Sequence, residues 1–199
     1  MIYSDEKKIF AFVNLLLLLA LTAACSNVEI VSRSEWGARP AAATWTIVRP
    51  VRHVIIGHTV TAECLSKESC ANIMRSMQNH HMKLGWGDIG YNFVIGGDGR
   101  VYEGVGWTRE GIHTYGWNKK SYGIAFIGNF MKAKPNEKML KAARSLIVCG
   151  VQKEFISHSR EIHGARDATC TLSPGDALYE IIKQWPMFKG GPLDGYKCS

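Results

Sequence analysis

The order of apolar and polar residues along the chain predicts alternating strands and helices. His53-Val54-Ile55-Ile56-Gly57-His58 is a short apolar run, readable as a buried strand. From Ser69 to Leu84, Ile73, Met77, His80 or His81, and Leu84 recur at helical spacing, and Gly85 supplies a stop. Tyr91 to Ile95 and Arg100 to Glu103 flank Gly96-Gly97-Asp98-Gly99, which predicts a hairpin. Tyr122 to Ile127 reads as a central strand. Asn136 to Val151 places Leu140, Ala143, Leu146, Ile147 and Val151 on one helical face. The last helix is expected to start with Ser173 as N-cap and Pro174 at its first position, with Asp176 favouring the positive dipole end. Leu178, Ile181, Ile182 and Trp185 would form its buried stripe, and Pro186 its end. Strands interleaved with helices imply an α/β sheet with helices on its faces.

The N-terminus breaks this pattern. Lys7 and Lys8 precede an apolar run from Ile9 to Leu21, followed by small residues from Thr22 to Ala24. This is the order of a secretory signal peptide over residues 1–24, leaving a mature domain of residues 25–199. The run is short for a bilayer span, which needs about 20 residues; a signal anchor is the alternative, and Leu-Thr-Ala-Ala-Cys also has the look of a lipoprotein cleavage site. The expectation is therefore an extracellular protein without a membrane span. At 199 residues, 46% hydrophobic and 21% charged, the chain suits one globular domain. The formal net charge is +7, and it is unchanged by removing the leader, whose two lysines balance Asp5 and Glu6. The positive residues are scattered, which disfavours nucleic acid as a partner. Six cysteines, Cys25, Cys64, Cys70, Cys149, Cys170 and Cys198, fit three disulfides in an oxidising compartment, although spacing alone permits fifteen pairings. No Cys-x-x-Cys pair suggests a zinc cluster.

Three places combine polar and aromatic residues: Gly57-His58-Thr59, the segment from His80 to Phe93, and His113-Thr114-Tyr115-Gly116-Trp117-Asn118. Flat rings pack on sugar faces while amides and hydroxyls satisfy peptide and sugar groups, so such clusters suit carbohydrate and peptide recognition. Structural roles compete at each: a histidine at a strand end is commonly a satisfied surface or core residue, and tryptophan is commonly core.

At these residues the chain resembles the peptidoglycan recognition proteins. The likeness runs from Ile30-Val31-Ser32-Arg33-Ser34-Glu35-Trp36-Gly37-Ala38-Arg39 through Trp185-Pro186. It includes Asp88-Ile89-Gly90-Tyr91-Asn92-Phe93, Gly97-Asp98-Gly99 with Val101-Tyr102-Glu103-Gly104, and Ser173-Pro174-Gly175-Asp176-Ala177-Leu178-Tyr179, in that order. The resemblance implies a central mixed β-sheet flanked by three helices and a groove for the muramyl-peptide stem of bacterial peptidoglycan. It also implies kinship with zinc amidases that cut the bond between N-acetylmuramic acid and L-alanine.

In active members two histidines and a cysteine hold zinc, and a tyrosine assists. The first histidine corresponds to His58 and the tyrosine to Tyr91, while Thr171 keeps an accessory polar position. Gly164-Ala165-Arg166-Asp167 stands where the family has Gly-His-Arg-Asp, so Ala165 replaces the second histidine, and Ser173 replaces the cysteine. Alanine has no donor atom, and a serine hydroxyl is a far poorer zinc ligand than thiolate. The resemblance thus implies binding without hydrolysis and no cofactor, with His58, Tyr91 and Thr171 as vestiges of the catalytic site. A displaced zinc site of His58, His163 and Cys170, supporting amidase activity, is the alternative; a scaffold that binds only a protein partner is another. The residues implied to contact ligand are His58, Thr59, His81, Trp86, Tyr91, His113, Asn118, Lys119 and Lys120. Gly85-Trp86 resembles the pattern for diaminopimelic-acid-type stems, whose extra carboxylate Lys119 or Lys120 would meet; Val105 departs from a frequent Gly-Arg-Gly-Trp pattern. The family's bridges correspond to Cys64 with Cys70 and Cys25 with Cys149, leaving Cys170 with Cys198. A downstream signalling protein is the further partner that the resemblance implies.

Overall fold

The computed structural model describes residues 25 and 27–198. The expected signal peptide, residues 1–24, lies outside the described residues. Six strands form one mixed sheet: β1 (Ile30–Val31), β2 (Val51–His58), β3 (Phe93–Ile95), β4 (Val101–Glu103), β5 (Ser121–Phe126) and β6 (Ile156–Gly164), in the spatial order β1-β4-β3-β5-β2-β6. Only β3 and β4 pair antiparallel, across the expected hairpin; the other neighbours are parallel. Three helices of seven residues or more flank the sheet among the described residues: α1 (Lys67–Lys83), α2 (Glu137–Gln152) and, after the one-turn α3 (Ala165–Ala168), α4 (Asp176–Ile182).

The two faces of the sheet are treated differently. Alternation along β2, β3 and β5 sends Val54, Ile56, Phe93, Ile95, Tyr122, Ile124 and Phe126 to one face. There they pack on Leu140, Leu146 and Ile147 of α2 and Leu178 and Ile182 of α4. The opposite face is only half covered. Over β3 and β4, Val94 and Tyr102 pack beneath Met74 and Met77 of α1. Over β5 and β2, Gly123 and Gly57 have no side chain to fill the space, Ile55 packs with Trp117, Ala165 and Ala168, and no long helix lies there. A hollow is the consequence.

Three disulfides tie the described residues together: Cys25–Cys149, Cys64–Cys70 and Cys170–Cys198. No described helix is long and apolar enough to cross a membrane.

Several sequence expectations need correction. The last helix starts at Asp176, with Gly175 at its N-cap at φ +90°. Ser173 is not the cap: Pro174 disfavours helical backbone before it, and the Ser173 hydroxyl accepts the His58 N–H at 3.1 Å instead. Trp185 is buried beyond the end of that helix. On α1 the buried stripe is Cys70, Ala71, Met74, Met77, Gln78 and His81; Ile73 is only half-buried, and Leu84 is the C-cap and exposed. β6 was not foreseen as an element, because Ser-His-Ser-Arg-Glu lacks an apolar alternation. It is an edge strand whose register with β2 shifts between Val51 and His53, leaving Ser157 to Arg160 without register partners.

Candidate functional site

The hollow on the half-covered face has a volume of about 520 Å³. Ile55, Gly57 and Gly123 floor it, and His58, Tyr91, His113, Thr169, Thr171 and Ser173 are among the side chains around it. A second hollow of about 350 Å³ lies against α1, bordered by Ile73, Met77, His80 and His81. Thr59 and Tyr91 border both, so the two are halves of one groove running from α1 across the half-covered face of β5 and β2.

Each of these side chains is held by the fold. His58 closes β2; its backbone N–H donates to Ser173 Oγ, and its Nδ1 accepts the Phe130 N–H at 3.2 Å, which leaves Nε2 as the ring's free nitrogen. Thr59 Oγ1 accepts the Gly128 N–H at 3.1 Å. His81 Nδ1 accepts the Gly90 N–H at 3.0 Å, and its ring stacks on Trp86 with centroids 4.5 Å apart. The His113 ring lies on Gly123, where any Cβ would overlap it. Tyr91 is fixed by its neighbours. Asp88 accepts hydrogen bonds from Gln78 Nε2 and the Ile89 N–H, both 2.7 Å, and pairs with Arg33 and Arg109. Asn92 Oδ1 accepts the Gly123 N–H, and its Nδ2 donates to the Gly106 and Arg109 carbonyls.

The groove is electrically quiet. Burial pushes His81 and His113 down to about 4, and burial with the nearby Arg166 charge lowers His58 as well. Burial raises the Tyr91 phenol. At neutral pH these groups are uncharged rings and a phenol, the donors and acceptors suited to amides and hydroxyls.

Not every expected residue lines the groove. His58, Thr59, His81, Tyr91, His113 and Thr171 do. Trp86 stands behind His81 as its stacking partner. Asn118 braces the rim: its Oδ1 accepts the His113 and Thr114 N–H groups, each at 2.9 Å. Lys119 and Lys120 are exposed on the short 3-10 turn before β5, and Lys120 Nζ lies 3.8 Å from the centre of the Trp117 ring. Thr114, from the third candidate segment, borders the hollow, and so do Thr169 and Leu172, for which the sequence carried no expectation. Thr169 and Leu172 sit in the irregular segment after α3, which carries no periodicity; the turn pattern around Ser-Pro-Gly was its only sequence signal.

The displaced zinc set of His58, His163 and Cys170 is not assembled. Cys170 is bonded to Cys198 and offers no thiolate. His163 is fully buried, with Nε2 3.0 Å from His53 Nδ1. His163 lies on β6, whereas Ala165 is the first residue of α3.

Comparison with known proteins agrees with this geometry. Residues 48–176 match the family model described as N-acetylmuramoyl-L-alanine amidase. Peptidoglycan-recognition protein 1 of Holotrichia diomphalia is 48% identical over 164 residues, 82% of this chain and 83% of the relative. The structure of bumblebee PGRP-SA superposes with a TM-score of 0.81 at 46% identity, covering 83% of this chain and 99% of that one. Peptidoglycan recognition protein LE, solved in complex with tracheal cytotoxin, a monomeric diaminopimelic-acid-type peptidoglycan, superposes at 0.80 with 38% identity, over 83% of this chain and 97% of that one.

Proposed function

The chain belongs to the N-acetylmuramoyl-L-alanine amidase family, among its peptidoglycan recognition proteins, and from that premise we propose that it binds bacterial peptidoglycan in its groove without cutting it. The observation that carries the second half of the reading is the donor set at the end of β2. With Nδ1 accepting the Phe130 N–H, the neutral His58 ring presents Nε2–H rather than a lone pair, Ala165 contributes nothing, and the Ser173 hydroxyl is engaged by a backbone N–H. Zinc sites use three or four protein ligands, so these residues do not fit the metal that amidases carry.

The binding half follows from shape and charge. A muramyl-peptide stem presents amides and hydroxyls on a narrow chain, and the groove offers neutral imidazoles, a phenol and threonine hydroxyls along its length. We favour stems of the diaminopimelic-acid type. Gly85-Trp86 fits that pattern, the exposed Lys119 and Lys120 lie on the rim loop that carries His113, and the relative LE holds such a fragment. Secretion by cleavage after residue 24, a recognition domain over 25–199, and relay of binding to a signalling protein complete the reading.

Incubating pure protein with insoluble peptidoglycan tests both halves at once. Retention on the pellet and no release of stem peptides with added zinc are the expected results. Zinc-dependent release abolished by His58→Ala would overturn the non-hydrolytic reading, and absence of retention would overturn binding. Titration with muropeptides differing only in their third residue reads the preference between stem types.

A further inference from the structure

Among the described residues, one group of three potential metal-ligating side chains converges, and it lies outside the groove. His53 on β2 and Glu161 and His163 on β6 direct ligand atoms to within 4.8 Å of one another. The pairwise separations are 3.0 Å between His53 Nδ1 and His163 Nε2, 3.5 Å between His53 Nδ1 and Glu161 Oε2, and 3.8 Å between His163 Nε2 and Glu161 Oε2. A tetrahedral zinc with bonds of about 2.0–2.1 Å sets its ligand atoms about 3.3–3.4 Å apart. The triangle is already close to one face of that tetrahedron.

The surroundings prepare the three atoms. His163 Nδ1 lies 2.7 Å from the Lys189 carbonyl, to which it can only donate, so in the neutral ring Nε2 keeps its lone pair for the triangle. Glu161 is divided in the same way. Its Oε1 accepts from Arg52 at 2.7 Å and Lys189 at 3.4 Å, while Oε2 is turned to the two histidines. Trp117 sets its ring edge-on to His53, with centroids 5.0 Å apart, and covers one side. His163 is fully buried, but His53 and Glu161 keep 17% and 15% of their side chains exposed, which leaves a way in for an ion and for a water at the fourth position.

We propose that His53, Glu161 and His163 bind a divalent transition ion of the zinc class, joining β2 to the edge strand β6 outside the groove. Two imidazoles and one carboxylate are a ligand set that zinc accepts, with an open fourth position. The ion takes the place of the proton shared between the two rings. It also adds a cross-link where the β2–β6 register is irregular, between Val51 and His53. Arg52 and Lys189 dilute the carboxylate's charge, so the affinity falls below that of a closed structural zinc site. This site is independent of the peptidoglycan reading, since it shares no residue with the groove.

The test uses untagged full-domain protein freed of metal with a chelator, then titrated with zinc by calorimetry and with cobalt(II) by its visible absorption. One equivalent per chain is expected, with the absorption of a tetrahedral site. His53→Gln and Glu161→Gln should each weaken binding at least ten-fold, whereas His58→Ala should keep one equivalent at unchanged affinity. Zinc should raise the melting temperature of wild type and of His58→Ala, but not of His53→Gln. No saturable binding by wild-type protein overturns the proposal without need of any variant. Binding that survives both substitutions, or is lost with His58→Ala, overturns it equally.

Discussion

Tyr91 shows how single residues divide between holding the groove and using it. Its neighbours Asp88 and Asn92 are spent on scaffolding, with every polar atom of the Asn92 side chain turned to backbone. Tyr91 itself faces both halves of the groove. Tyr91→Ala should therefore cut retention on peptidoglycan about ten-fold or more, the loss expected when an aromatic anchor of ~2 kcal/mol is truncated. Trp86 is a different case, because it supports His81 by stacking and borders neither hollow. Trp86→Ala should weaken retention less than Tyr91→Ala, acting by loosening His81. Both variants should melt cooperatively near the wild-type temperature. Equal retention by wild type and Tyr91→Ala in a sedimentation assay would show that the ligand lies elsewhere.

Among the elements, α1 does two jobs, covering the sheet through Met74 and Met77 and walling the groove through Ile73, His80 and His81. Its start is a capping box: the Ser69 N–H donates to Ser66 Oγ at 3.2 Å, and the Ser66 N–H to Ser69 Oγ at 3.1 Å. Ser66→Ala should cost about 1 kcal/mol, and hence about 2–4 °C of melting temperature in a domain of this size. Peptidoglycan retention at 25 °C should not change, because the cap lies at the end of α1 away from His81; scanning calorimetry beside the sedimentation assay checks both. Neither the cap nor the wall function could be read from spacing, though α1 and α2 themselves were. On α2 the stripe of Leu140, Ala143, Leu146, Ile147 and Val151 is buried as its period demands. β6 was opaque because an irregular edge strand needs no apolar alternation, and the start of α4 was displaced because the Ser173 hydroxyl is used across the fold rather than along it. Family resemblance located His58, Tyr91 and His113. It could not separate lining residues from braces such as Asn118, a distinction made only by folding the rim loop back on itself.

Over the whole molecule, folding stability and ligand binding should respond differently to acid, because both depend on the same buried imidazoles at different pH. His81 and His113 have an ordinary pKa of 6.5, and burial lowers each to about 4 in the folded chain. Between those values the unfolded chain takes up protons that the folded chain refuses, so protonation favours unfolding. The stability held by these neutral rings is complete above 6.5 and is lost progressively as the pH falls to about 4. In the folded groove His81 and His113 keep their neutral rings through most of that range, since at one pH unit above its pKa a group is only about a tenth protonated. Melting temperature should thus decline from pH 6.5 downward while retention on peptidoglycan stays level to about pH 5, where the folded rings begin to titrate. His81→Gln removes one of the titrating groups without adding charge, so its melting temperature should fall less steeply over the same interval. Parallel loss of binding and stability from pH 6.5 would mean that the imidazoles charge while the protein is still folded, and that the groove is wetter than its burial implies.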